Sequence, residues 1–67
     1  MINNILTDRE IEILKLVADG YTNKEISKIL YISVHTAHAH ISAIARKLNA
    51  TSRTQAAVNG IRMGLIE

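Results

Sequence analysis

Residues 20–48 read GYTNKEISKILYISVHTAHAHISAIARKL. Apolar side chains recur at helical spacing from Asn23 to Leu30, pause at Tyr31-Ile32-Ser33, and resume from Val34 to Leu48. Two amphipathic helices joined by so tight a break form a helix-turn-helix, whose second helix is shaped to enter the DNA major groove. In a chain of 67 residues little room remains for a second function.

The punctuation of the chain is helical throughout. Thr7-Asp-Arg-Glu10 and Thr22-Asn-Lys-Glu25 match the capping box, and Ser52-Arg-Thr-Gln55 matches it again. Ser33 is a good N-cap by type, although Thr36 leaves its box incomplete. Gly20, Asn49 and Gly64 are residue types that tolerate the left-handed helix stop. The expected fold is all-α: one four-helix domain containing a helix-turn-helix, with helices at about 8–19, 23–30, 34–48 and 53–63.

Helical wheels assign faces to these segments. In the first helix Ile11, Ile13, Leu14, Val17 and Ala18 cover a wide apolar face, which predicts a helix in the middle of the bundle. In the second, Ile26, Ile29 and Leu30 face inward while Lys24, Ser27 and Lys28 face out. In the third, Ala37, Ile41, Ile44 and Leu48 form one core seam, opposite His35, His38, Ala39, Ser42 and Arg46. The fourth has two apolar stripes. Ala57 and Ile61 suit the core, whereas Ala56, Gly60 and Met63 form a small-residue stripe expected to meet a second copy of the chain.

Composition sets bounds. One domain of this size buries only ~60% of its unfolded surface. There is no Cys, so no disulfide or thiolate metal site can staple it. Eleven Ile, six Leu and three Val must therefore supply the core. No apolar run approaches the ~18 residues of a membrane span, and the amino-terminal residues do not resemble a signal peptide. These features fit a cytoplasmic, nucleoid-associated protein with no membrane partner.

The formal charge of +2 says little, but its distribution says more. Asp8, Glu10, Glu12, Asp19 and Glu25 lie in the first 25 residues, whereas Ser27 to Ile66 contains Lys28, Arg46, Lys47, Arg53 and Arg62 and no acid. Such a one-sided field favours a phosphate backbone.

The outward face of the third helix suits base reading. Ala39, Ser42 and Ala43 are small enough for the helix to settle into a groove ~12 Å wide. His35, His38 and Ser42 can exchange hydrogen bonds with base edges, and the Ala39 methyl can meet a thymine methyl. Arg46 and Lys47 suit phosphates, as do the free amides of the helix starts near Thr22 and Ser33. A polar helix face is commonly only a solvated one; the two-helix spacing and the acid-free two-thirds of the chain favour DNA.

These residues carry a resemblance. Leu6-Thr7-Asp-Arg9-Glu10, Gly20, Thr22-Asn23-Lys24-Glu25-Ile26-Ser27, Ile32-Ser33-Val-His-Thr36, His40, Ile44-Ala-Arg-Lys47-Leu48 and Ser52-Arg53-Thr-Gln-Ala56 fall in register over about residues 5–66. The chain resembles the LuxR-type (GerE-like) helix-turn-helix domain of bacterial transcription regulators. The resemblance implies double-stranded DNA as partner, with the third helix reading bases through His38, Ala39 and Ser42. It implies phosphate contacts around Thr22, Lys24, Thr36 and Lys47, and homodimers formed through the fourth helix. It also implies control by a receiver or ligand-binding domain, whether this sequence is a part of a longer regulator or one of the family's small members made of this domain alone.

Two positions depart from the pattern. Ala37 replaces the usual Val, and His38 replaces a Lys or Arg. The second change removes a permanent charge from the outward face, which predicts weaker or differently specific binding that tightens as imidazole gains its proton. It also sustains an alternative: a helix-turn-helix scaffold repurposed for protein–protein interaction. His35 and His38 share a face but lack a carboxylate, so no metal site is expected. No catalytic set is credible, because the acids cluster on the first two helices. No enzyme activity and no cofactor are expected.

Overall fold

The computed structural model describes residues 5–67. Four α-helices follow one another: α1 (Asp8–Ala18), α2 (Asn23–Leu30), α3 (Val34–Lys47) and α4 (Arg53–Arg62). Each starts one residue after the side chain that caps it. The Thr7 hydroxyl accepts the Glu10 amide at 3.1 Å, and the Glu10 carboxylate accepts the Thr7 amide at 2.8 Å. Thr22 and Glu25 repeat this reciprocal pair. Ser33 accepts the Thr36 amide at 2.9 Å, without a return bond to its own amide. The expected third box closes only halfway. Ser52 accepts the Gln55 amide, but the Gln55 carbonyl accepts from the Thr51 amide and hydroxyl.

The stops are less regular. Gly20, Asn49 and Gly64 take positive φ, as expected. So does Tyr31, at φ 57, where it ends α2 although it carries a Cβ. A non-glycine residue in this region costs roughly 1–2 kcal/mol. It gives the sharp turn between α2 and α3, with the Ile32 amide donating back to the Ser27 carbonyl.

The core is aliphatic. Ile13, Leu14, Ile26 and Ile44 are fully buried, joined by Leu6, Val17, Ala37, Leu48, Ala56 and Ile66. α3, not α1, is the central helix: it packs against all three others, whereas α1 packs broadly on α3 and α4. Ala18 accordingly lies exposed. In α2 the faces are rotated from expectation. Ser27 is buried and satisfies its hydroxyl on the Lys24 carbonyl at 2.7 Å, while Ile29 is exposed.

The faces of α4 are the reverse of those expected. Ala56 and Gly60 are buried inside this chain, and Ile61 is exposed. The reason is steric. A Cβ on Gly60 would sit 2.6 Å from Cδ2 of Leu14 and 3.4 Å from Cγ1 of Ile66. The bare glycine backbone is what lets α4 close onto α1. The tail then folds back, with the Leu65 amide donating to the Gly60 carbonyl at 2.9 Å. Ala56 and Gly60 therefore cannot serve as an interface with a second copy; of that predicted set only Met63 is exposed.

Candidate nucleic-acid interface

The α3 seam is oriented as its spacing predicts. Ala37, Ile44 and Leu48 point into the core, and Ile41 and His40 lie half-buried beside them. On the other side His35, His38, Ala39 and Arg46 are exposed, with Ser42 and Ala43 half-buried. The helix carries no acidic residue. Its outward side therefore combines hydrogen-bonding tips, small spacers and a cation, the chemistry that base edges and phosphates require.

The helix starts add amides. At α3 the Ser33 hydroxyl takes the Thr36 amide and the Ser33 carbonyl takes the Ala37 amide. The first two amides, those of Val34 and His35, are the ones a helix start leaves open to an outside acceptor. Thr36 also accepts the Ser33 hydroxyl proton on its own hydroxyl at 2.9 Å, so its side chain is held in the cap. At α2 the box uses Thr22 and Glu25, and Thr22 and Lys24 lie exposed beside the amides of Asn23 and Lys24. Arg46 lies ten residues along α3 from Thr36, ~15 Å at the helical rise. The phosphate candidates thus fall at the two ends of α3 and at the opening of α2.

Lys47 departs from expectation. Its ammonium donates to both Glu10 oxygens, at 2.8 and 3.0 Å. Glu10 is almost fully buried, while the Lys47 side chain keeps 41% of its surface exposed. The lysine expected to hold a phosphate therefore has a carboxylate partner of its own. Burial pushes the Glu10 carboxyl upward. The Lys47 hydrogen bond, the Thr7 amide, the Lys47 charge and the Thr7 hydroxyl together outweigh burial and hold it below its usual value. Glu25 is also lowered, by its bonds to the Thr22 amide and hydroxyl.

Two polar anchors carry no expectation from spacing. The Arg53 guanidinium donates to the Asn23 side-chain carbonyl and to the Tyr21 main-chain carbonyl, joining the start of α4 to the start of α2. The Asn59 amide group donates to the Leu48 carbonyl at 2.9 Å and closes the end of α3. Arg53 falls within the Ser-Arg part of the family pattern and among the cations of the acid-free stretch, and neither signal points to its partners. Nothing in the local spacing marks Asn59.

Comparison with known proteins agrees with this geometry. The family model described as bacterial regulatory proteins, luxR family, matches residues 4–59. The chain is 47% identical over 64 residues to transcriptional regulatory protein DegU of Brevibacillus brevis, covering 96% of this chain and 27% of that protein. It is 51% identical over 61 residues to transcriptional regulatory protein LiaR of Bacillus subtilis, covering 91% of this chain and 29% of that protein. It is 43% identical over 63 residues to response regulator protein VraR of Staphylococcus aureus, covering 94% and 30%. A solved structure titled "Structure of Transcription factor, GerE" superposes with a TM-score of 0.90 at 38% identity, covering 97% of both chains. The chain belongs to the luxR family of bacterial regulatory proteins, and its four helices are that family's helix-turn-helix DNA-binding domain. The family is one of transcription regulators, not a class of enzyme. The chain spans less than a third of the length of these three curated relatives. Among the described residues no helix is long and apolar enough to cross a membrane.

Proposed function

We propose that the domain binds double-stranded DNA sequence-specifically, with α3 in the major groove, and regulates bacterial transcription. The observation that carries this reading is the outward side of α3: exposed, thin, acid-free and opposed by a buried aliphatic seam. His35, His38, Ala39 and Ser42 face the bases. Thr22, Lys24, Ser33, Thr36 and Arg46 fix register on phosphates, with Lys47 contributing only the surface that Glu10 leaves free. Two copies pair through the outer side of α4, where Val58 and Ile61 lie one turn apart and exposed. The likeness to response regulators supports control by a regulatory domain, and the family supports work at the nucleoid in the cytoplasm.

Selection of binding sites from random duplexes, followed by titration in salt, tests the reading. A phosphate-gripping domain enriches a defined half-site, and log K falls with log salt by roughly 0.9 per phosphate neutralised. No retained duplex and a flat salt response overturn it.

A further inference from the structure

We infer that His35 and His38 make the reading side of α3 proton-operated: each gains a proton on the duplex, so acid tightens binding and shifts preference toward guanine. The inference rests on the DNA-binding reading above and adds its regulation.

The charge inventory of α3 is the first argument. Its cations are Arg46 and Lys47, and Lys47 is bonded to Glu10. Arg46 is therefore the one permanent charge on α3 without a carboxylate partner among the described residues. His35 and His38, both exposed, stand three residues apart on the same side. Imidazole is the side chain whose charge changes between about pH 5 and 8. Protonating both imidazoles takes that surface from one positive charge to three.

Among the described residues no carboxylate pairs with either imidazole. Glu10 of α1 is committed to Lys47, and Glu25 of α2 is folded back on Thr22. Asp8, Glu12 and Asp19 belong to α1 and its C-cap, with Arg9 and Lys15. α2 adds the exposed cations Lys24 and Lys28, and α4 adds Arg53, held on Asn23 and Tyr21, and Arg62. No histidine lies within ion-pair distance of a carboxylate among the described residues. A docked duplex would bring the dense negative charge that this face otherwise lacks. Phosphates favour the charged imidazole, so DNA binding and proton uptake reinforce one another. His40, half-buried beside the core seam, is not part of this pair.

The second argument is the donor pattern. Neutral imidazole offers one donor and one acceptor, whereas imidazolium offers two donors. Guanine presents two acceptors in the major groove, and adenine an acceptor and a donor. Protonation therefore changes which base edge His35 and His38 complement, as well as how strongly they are attracted.

The test is fluorescence anisotropy on a duplex selected by the intact chain, at constant ionic strength, between about pH 7.5 and 6.0. Wild-type affinity rises by about tenfold or more across this window, and the slope of log K against pH stays within the ~2 protons that two imidazoles supply. His38→Gln and His35→Gln each remove part of the gain, and the double variant is flat within about twofold. His38→Lys binds more tightly than wild type at the upper pH and keeps only the His35 share of the gain. Calorimetry in buffers of different ionisation enthalpy reports the proton uptake directly, and circular dichroism at both pH values confirms that the variants are folded. A double variant that keeps the wild-type pH dependence, or a wild type that binds with no pH dependence, overturns the inference alone. A wild type that binds no duplex at any pH in low salt overturns the DNA-binding reading together with it.

Discussion

Lys47 Nζ sits 2.8 Å from Oε1 of Glu10, joining the last residue of α3 to the first turn of α1 across 37 positions of sequence. Glu10 also caps α1 through Thr7, so one buried carboxylate serves a helix start and an interhelical tie. Removing one partner of such a pair leaves the other charge poorly satisfied. Lys47→Ala is expected to destabilise the domain by about 1–3 kcal/mol, discounted from a fully buried pair because the lysine is part-exposed. Lys28→Ala, on an exposed lysine that acts on the exposed Glu25 only through its charge, should change stability by less than about 0.5 kcal/mol. Chemical denaturation of both variants checks the contrast.

The same carboxylate sets an acid response. Its folded-state pKa lies below the usual value of 4.5. The stabilisation is therefore fully present above that value and is lost as pH falls through the folded pKa. Glu25 has the same sign but is exposed, so its share is small. Thermal melts should show a midpoint that declines below about pH 4.5, with a shallower decline for Glu10→Gln. Equal declines for the two proteins would place the acid sensitivity elsewhere.

Gly60 separates helix propensity from packing. In an open helix, alanine is better than glycine by ~1 kcal/mol. Here the added methyl meets a Leu14 side chain that is itself fully buried, so overpacking wins. Gly60→Ala is expected to destabilise by about 1–2 kcal/mol, as read by denaturant midpoint. Ile61→Lys should leave the midpoint nearly unchanged and instead weaken self-association, as measured by sedimentation.

Base-reading and phosphate-holding roles have different signatures. Arg46→Ala should weaken all duplexes alike and lower the salt slope by about 1. Ser42→Ala should leave the slope intact and change the ranking of duplex sequences, as a competition assay reports.

Much of this architecture is legible in the chain because caps are local chemistry. Thr7, Thr22, Ser33 and Ser52 each begin a helix within a few residues of the groups they bond, so short-range spacing suffices to find them. The α3 seam is legible too, since bulky aliphatics on one side and small or polar residues on the other leave one orientation. α4 is not. Both its stripes are apolar, and the choice between them depends on how Leu14 and Ile66 fill the space beside Gly60. The end of α2 escapes a search for glycine because Tyr31 accepts the left-handed conformation. The Lys47 partner and the Arg53 fork join residues more than 29 positions apart, and no periodicity encodes such distances.

The Arg53 fork has one more consequence. α2 shares broad packing with α3 alone, so its opening turn relies on this guanidinium for a second mooring. The mooring post is the first residue of α4, the helix proposed to meet another copy. Any tilt of α4 thus reaches the mouth of α2 through a single side chain, bypassing the aliphatic interior.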